Sequence, residues 1–486
     1  MSLTSALSTA QSALFSTSRQ TGVVSRNIAE ANNPDYSRRS AVHYGTAPGV
    51  QANVVQRATN EALFRHNLAA TASWQGQSTL LAGMERLGLL VNGIDNAASP
   101  AIAIGKLQDT LQLYAAAPSN MSLASKTIDQ ARHLARTLND ATLSLQQFRS
   151  ETDTEIATAV GELNTLLSEF HRNNTEIVKG TNAGRDISDA LDRRDSLLKQ
   201  ISGFVAISTY TRGANDMVIT TADGSTLFET MPRTVSFQPT LAYVAGMSGN
   251  PVLVDGVPLK AGVGGDSTAN GRLAALLQMR DTVAPTMQNQ LDEIARGLVM
   301  AFAETDSAGI QPDAPGLFTW PGAPAMPAAG TLVPGLAGAI TIHATMDPAA
   351  GGDARLLRDG GANGPAYVAN PAGAASFADL LIAYSERLDQ PIAFDPVAKA
   401  GDVVSVKTFS TNAISWFEAQ RQESFRAEEA KKALVDRSAI ALSNATGVNI
   451  DEEMSRLLEL EQTYEASTRI IRVVDAMLAA LMEAVR

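Results

Sequence analysis

Residues 450–486 read IDEEMSRLLELEQTYEASTRIIRVVDAMLAALMEAVR, and within them Leu457, Leu460, Tyr464, Ser467, Ile471, Val474, Leu478, Leu481 and Val485 follow at alternating steps of three and four. That spacing is the repeat of a helix that packs along one narrow seam on another helix. The opposite end of the chain carries the same rhythm. Leu3, Leu7, Ala10, Leu14, Thr17, Thr21, Val24, Ile28 and Ala31 fall at steps of four and three before Asn32, Asn33 and Pro34 stop the helix. Narrow seams at both extremities suit coiled-coil pairing better than a globular core, so the two ends of the chain are expected to meet.

An extended, turn-rich stretch is expected from the end of the first helix to about Gln56. Residues 58–204 are then rich in Leu and Ala, with Pro100 and Pro118 as the main breakers, which predicts three or four long helices. Ile187, Leu191, Leu198, Ile201 and Val205 form a further stripe there. After Phe204 the period changes to short β-branched or aromatic runs separated by Arg212-Gly213, Asp223-Gly224 and Pro232, a small β domain over 206–265. Helical pattern returns over 266–305, with a kink expected at Pro285. Residues 306–402 are dense in Gly, Pro and Ala and read as a second inserted β-rich domain, after which 403–445 is helical again. The expected fold is mainly α with β insertions, in nested discontinuous domains. Terminal coiled-coil helices come from 1–57 and 446–486, a long helical stalk from 58–204, 266–305 and 403–445, and the two β-rich insertions interrupt the stalk.

Composition narrows the function. The chain has 486 residues, enough for several domains, and 38 basic against 50 acidic side chains give a net charge of -12 without any basic block. Nucleic acid and anionic membrane are therefore unexpected partners. Cysteine is absent, which removes disulfides, thiolate metal sites and thiol nucleophiles and suits a chain exported unfolded. The first basic residue is Arg19, and Leu3, Leu7 and Leu14 are spaced among Ser, Thr and Ala, so no cleaved signal peptide is expected. No run reaches the roughly 18 to 20 apolar residues that span a bilayer, and a soluble chain is expected.

Candidate sites for chemistry reduce to structural readings. His43, His66, His133, His171 and His343 are scattered, and the glycine-rich stretches 262–271 and 351–364 lack the ending of a phosphate loop. In Asn449-Ile450-Asp451-Glu452-Glu453, Asn449 is placed to cap a helix with Glu452 at its third position, a more economical reading than a metal site. Asp192 and Asp195 are expected to form exposed ion pairs with Arg193 and Arg194 beside them. No catalytic, cofactor or metal residues are assigned, and no enzyme is expected.

The physical balance at the ends points to partners. Fixing backbone costs about 1 to 2 kcal/mol per residue, while each large apolar side chain returns about 1.5 to 3 kcal/mol on burial. The Ala and Thr of the first seam return less. A helix pair of this kind is expected to be marginal in a free molecule and to gain order on assembly, when neighbouring subunits cover apolar surface that the pair leaves bare.

Particular residues then carry a resemblance. Asn27-Ile28-Ala29-Glu30-Ala31-Asn32 followed by Tyr36-Ser37-Arg38 resembles the N-terminal signature of bacterial flagellar axial proteins, with Glu30 where Asn is usual. Leu191-Asp192-Arg193-Arg194-Asp195 resembles the stalk motif of the flagellar hook-associated protein 1 family. Thr446-Gly447-Val448-Asn449-Ile450-Asp451-Glu452-Glu453, with Gln462, Tyr464, Ala466 and Ser467 downstream, is similar to that family's C-terminal signature, although Glu461 and Glu465 stand where Gln is common. The resemblance implies a structural protein that joins hook to filament, exported without cleavage through the flagellar type III channel to the outside of the cell. Its implied partners are copies of itself in a ring, hook protein, hook-associated protein 3, and an export chaperone at the C-terminal helix. Another axial component, hook or distal rod, is the alternative, and a secreted cell-wall hydrolase a more distant one. The side chains expected at subunit contacts are Leu3, Leu7, Leu14, Val24, Asn27, Ile28 and Tyr36 at one end, and Leu457, Leu460, Tyr464, Ile471, Val474, Leu478 and Leu481 at the other. Replacing Ile471 or Leu478 by Asp puts a charge into the seam and is expected to block incorporation at hook ends while circular dichroism shows the stalk still helical.

Overall fold

The computed structural model describes residues 3–46, 50–91 and 99–484, with side chains left out at 43–46 and 50–53. Val485 of the C-terminal seam and the His43 side chain lie outside the described residues. Along the chain, α1 (Leu3–Ala29) leads into an antiparallel hairpin of β1 (Arg39–Thr46) and β2 (Val50–Arg57). Four helices follow: α2 (Glu61–Leu90), α3 (Pro100–Ala116), α4 (Met121–Asn182) and α5 (Ser188–Phe204). Next come β3 (Ile207–Thr211), β4 (Met217–Thr221), β5 (Thr226–Glu229) and β6 (Met231–Pro232), paired in that order in one sheet. A three-stranded sheet of β7 (Val235–Ser236), β8 (Leu253–Val254) and β9 (Val257–Pro258) precedes α6 (Arg272–Gln278) and α7 (Ala284–Ala301). The stretch from 306 to 402 contains β10 (Phe318–Thr319), α8 (Leu336–Ala339), β11 (Thr341–Ile342), α9 (Leu356–Asp359), α10 (Asp379–Arg387) and β12 (Ile392–Ala393), and β13 (Val403–Val404) pairs with β12. Two long helices end the chain, α11 (Val406–Thr446) and α12 (Ile450–Ala484). The architecture is mainly α with β insertions.

These elements form two compact units, Met1–Trp74 with Glu162–Val235 and Ala430–Arg486, and Gln75–Gly161 with Ser236–Glu429. In the first, α1 packs along α12. Buried positions of the seam include Ala10, Thr17 and Val24 on one helix and Leu460, Ser467 and Val474 on the other, each set seven residues apart. Thr9, Thr17 and Thr21 donate their hydroxyls to carbonyls four residues back, so the helix satisfies these groups itself. The stretch read from sequence as extended and turn-rich is in fact a regular hairpin with Arg39 opposite Arg57. The turn signals of Asn32 to Pro34 are spent before the strands begin. Under the four-stranded sheet, Phe170 of α4 meets Phe228 edge to face at 4.9 Å.

The second unit is organised around α7, which is buried on nearly every side, charged residues included. The kink expected at Pro285 takes the form of a π-helical turn at Met279–Val283, where the Ala284 N–H bonds back to the Met279 carbonyl. Widening the turn immediately before proline gives its ring room and absorbs the missing donor. The same helix holds the irregular 306–402 stretch, whose strands are only two residues long. Glu293 and Arg296, both fully buried, pair at 2.7 Å, and Glu293 also accepts the Asp395 N–H. Gln290 donates to the Ala398 carbonyl, and Glu304 accepts the Ala362 and Asn363 N–H groups. Buried side chains thus supply the partners that a sheet would otherwise give to loop backbone.

Asp292 does the same for the start of α8, accepting the Gly335 and Ala337 N–H groups at 2.8 Å each. Burial outweighs those bonds and pushes its carboxyl up to about 6 from an ordinary 3.8. A folded pKa above the unfolded one means that its stabilising proton is fully present below about 3.8 and lost as pH rises through about 6. In urea melts monitored by circular dichroism, the midpoint is expected to fall as pH rises across that window. Asp292→Asn is expected to flatten the dependence, and an unchanged slope would refute the assignment.

Candidate functional site

The three sequence motifs, separated by hundreds of residues, converge in the first unit. Asn27 lies at the end of α1, is fully buried, and uses every hydrogen-bonding capacity it has. Its Nδ2 donates to the Arg39 carbonyl at 2.8 Å and to Glu453 Oε2 at 3.0 Å. Its Oδ1 accepts the Tyr36 hydroxyl at 2.8 Å and the Arg39 N–H at 3.1 Å. One side chain therefore ties the end of α1, the turn after it, the first strand and the first turn of α12. Asp has no N–H to offer there, and Gln is longer by a methylene.

A second layer is ionic. Arg39 is buried, lies over the Tyr36 ring at 4.7 Å, and donates to Asp189 at 2.6 Å and Asp192 at 2.9 Å. Arg57, opposite it in the hairpin, donates to Asp192 at 2.7 Å and Asp195 at 2.5 Å. The spacing Asp189, Asp192, Asp195 sets three carboxylates along one face of α5, a ladder that the two arginines of the hairpin bridge. Arg26 adds a bond to Asp189 at 2.7 Å. Burial pushes the Asp189 carboxyl up, but the bonds from Arg39 and Arg26 more than offset it and hold it below its usual range. On the α12 side, the Arg38 N–H bonds to the Thr446 carbonyl and its guanidinium reaches Glu452 at 3.1 Å.

Two expectations are corrected by this geometry. Asp192 and Asp195 do not form exposed pairs with Arg193 and Arg194; they are largely buried and hold the hairpin, because α5 turns them inward while Arg193 faces solvent. Asn449 caps α12 as expected, its Oδ1 accepting the Asp451 N–H at 3.1 Å. The acids beyond it do more than cap, since Glu452 reaches Arg38 and buried Glu453 reaches Asn27. Among the described residues, no group of three or more His, Cys, Asp or Glu side chains is placed to hold a metal ion.

The residues singled out from sequence fall into three places. Asn27 and Tyr36 belong to the junction itself. Val24, Leu460 and Val474 are buried along the α1–α12 seam, and Leu3, Leu7, Leu14, Ile28, Leu457, Ile471 and Leu478 are half-buried there. The structure leaves Tyr464 and Leu481 exposed, 50% and 55% respectively, because α1 is too narrow a partner to cover the edge of the stripe. Arg39 and Arg57 escaped sequence reading; the signal was present in the arginine that follows Tyr36-Ser37-Arg38 and in the three-residue spacing of the α5 acids.

Replacing Asn27 by Ala strands four groups, one of them a carboxylate, and is expected to cost about 3 to 5 kcal/mol, read as a lower urea midpoint. Asp189 carries a depressed folded pKa. Its contribution is therefore present above the ordinary carboxylate value and is lost only as pH falls through the depressed one.

Comparison with known proteins gives matches at both levels of this description. Residues 90–317 match the profile of the flagellar hook-associated protein FlgK helical domain, and residues 442–484 match that of the flagellar basal body rod FlgEFG protein C-terminal region. Flagellar hook-associated protein 1 of Bacillus subtilis (strain 168) is 21% identical over 517 aligned positions, covering 97% of this chain and 96% of that protein. The solved structure of the flagellar hook junction protein FlgK from Burkholderia pseudomallei is 19% identical, with a TM-score of 0.43 over 53% of this chain and 46% of that one. An end-to-end relative, with two profiles falling on the helical body and on the C-terminal helix, makes this chain similar to flagellar hook-associated protein 1 along nearly its whole length.

Proposed function

We propose that this chain is a structural subunit of the bacterial flagellum that joins hook to filament, built into the axis through α1 and α12, with 1–57 and 446–486 as its assembling part. The observation that carries the reading is a second repeat on α12. Glu459, Thr463, Ala466, Ile470, Val473, Met477, Ala480 and Ala484 follow at alternating steps of four and three, and all are exposed. Ile470, Val473 and Met477 are each half-exposed or more, at 50%, 53% and 53%. A helix with two heptad stripes, one covered by α1 and one bare, is built to pack on two neighbours.

The outer face of α1 has the complementary character. Thr4, Ser8, Gln11, Phe15, Ser18, Gly22, Ser25 and Ala29 repeat at the same steps and are exposed, so the face is small-residued except for Phe15 at 77% exposure. Bare apolar surface is thus concentrated on α12, with Phe15 as its large representative on the outer face of α1. Small side chains let a neighbouring helix approach closely, and Ile, Val and Met on the other stripe are suited to enter that space. The partners proposed are further copies of this chain in a ring, hook protein on one side and hook-associated protein 3 on the other. An export chaperone covers α12 before assembly, a role that an uncovered stripe fits. The location proposed is the hook-filament junction outside the cell, reached by type III export, and the role involves no catalysis.

The rod-type match over 442–484 favours a second reading, another axial subunit such as hook or distal rod. A purified junction protein is expected to stay monomeric until hook ends are supplied, whereas filaments formed by this chain alone would favour the second reading. Changing Ile470, Val473 and Met477 together to Ser is expected to leave the monomer's urea midpoint within about 1 kcal/mol of the parent, as for surface substitutions generally, and to abolish incorporation at hook ends. Incorporation at the parental level would rule out the outer stripe as the contact.

A further inference from the structure

A groove of about 1050 Å³ opens in the first unit beside the junction, lined by residues of all three motif segments together with the start of α2 and the β3–β4 turn. Arg194 of α5 lies on its wall. Arg194 is 7% exposed, and its guanidinium makes one bond, from Nη1 to the Asn215 carbonyl at 2.8 Å; its Nε is buried without a partner. The carboxylates whose charge it feels, Asp195 and Asp216, are already engaged, the first by Arg57 at 2.5 Å and the second by Arg212 at 2.7 Å. Of the other three cations on the groove, Arg57 and Lys199 are held by Asp195 and Asp35, and Arg65 has no ion-pair partner among the described residues. Arginine stays protonated even when burial lowers its pKa, so a buried fork with unused donors calls for an anion.

We propose that the groove is a receptor for a carboxylate, held by Arg194 and supplied by an acidic side chain of a second copy of this chain. A guanidinium fork matches a carboxylate in shape and charge. The chain has a surplus of such groups, 50 acidic against 38 basic residues. Glu459 is the foremost of them: it heads the outer stripe of α12, is exposed, and has no cation partner among the described residues. The second-copy assignment rests on the assembly reading above; the anion site does not.

Two arms separate the claims. In the first, the monomer labelled with ¹⁵N in arginine is titrated with sodium acetate at constant ionic strength. One slowly exchanging Nε–H resonance, absent in Arg194→Lys, is expected to shift saturably, and a signal that does not move would overturn the site. In the second, incorporation onto hook ends is expected to fall at least tenfold in Arg194→Gln and in Arg194→Glu. It is expected to recover at least tenfold when Arg194→Glu is combined with Glu459→Arg. Acetate binding without that recovery would mean a free-anion site and would overturn the second-copy assignment. Loss of the outer-stripe contact would leave the acetate titration untouched, so failure of the assembly reading is told apart from failure of the site. Circular dichroism of the Arg194→Gln monomer guards against misfolding, since Gln keeps a donor for the Asn215 carbonyl.

Discussion

The α1–α12 pair depends on a side chain that lies beside the seam and not within it. Asn27 spends two donors and two acceptors on the end of α1, the turn after it, the first strand and the first turn of α12. The seam is weak by comparison, with Ala10, Thr17 and Val24 facing Leu460, Ser467 and Val474. Small residues return little on burial, so the seam sets how close the helices lie and leaves direction to the junction. A satisfied, buried polar network has one geometry, because every alternative leaves a donor or acceptor unmatched in a dry environment. The helix pair is therefore aimed by the junction at its root.

The ionic layer adds stiffness of another kind. Arg39 and Arg57 bridge Asp189, Asp192 and Asp195, so each carboxylate or guanidinium removed leaves another with an incomplete shell. Such ladders resist partial opening more than isolated surface pairs do, since buried charges tolerate no half-broken state. The second unit applies the same rule to loops. Its 306–402 stretch has almost no sheet, yet Asp292, Glu293, Arg296 and Glu304 cap the backbone that strands would have paired. Loop-rich protein stays ordered at the cost of burying charge, and the raised carboxyl of Asp292 records that cost.

Much of this is legible in the sequence. Helix rhythm at both ends, the helical body and the stop at Asn32 to Pro34 all follow from local spacing, which sequence displays directly. Partners across hundreds of residues do not. Asp192 looks like a neighbour of Arg193 in one dimension, and only the turn of α5 shows that it faces Arg39 instead. The hairpin was hidden because the turn residues stand ahead of its first strand. Tyr464 and Leu481 fit the seam's arithmetic yet stay exposed, because a step rule names positions on a stripe without saying how wide the covering helix is. The second stripe interleaves with the first, and its Glu459, Thr463 and alanines give it little apolar rhythm of its own.

Two stripes on α12 also bear on how a junction avoids premature polymerisation. If both were strongly apolar, free copies would pair through whichever face met first. The covered stripe is packed by α1 of the same chain through an intramolecular junction. The bare stripe mixes Ile470, Val473 and Met477 with Ala466, Ala480 and Ala484, and starts at a charge. Partly exposed side chains of that kind return only a fraction of the full burial energy each. One such contact is too weak to outweigh the lost freedom of two molecules. A closed ring adds contacts while each new copy forfeits its freedom only once, so association becomes favourable when several neighbours are held at once. In the proposed assembly a pre-existing tubular end supplies that condition, and a dilute solution does not.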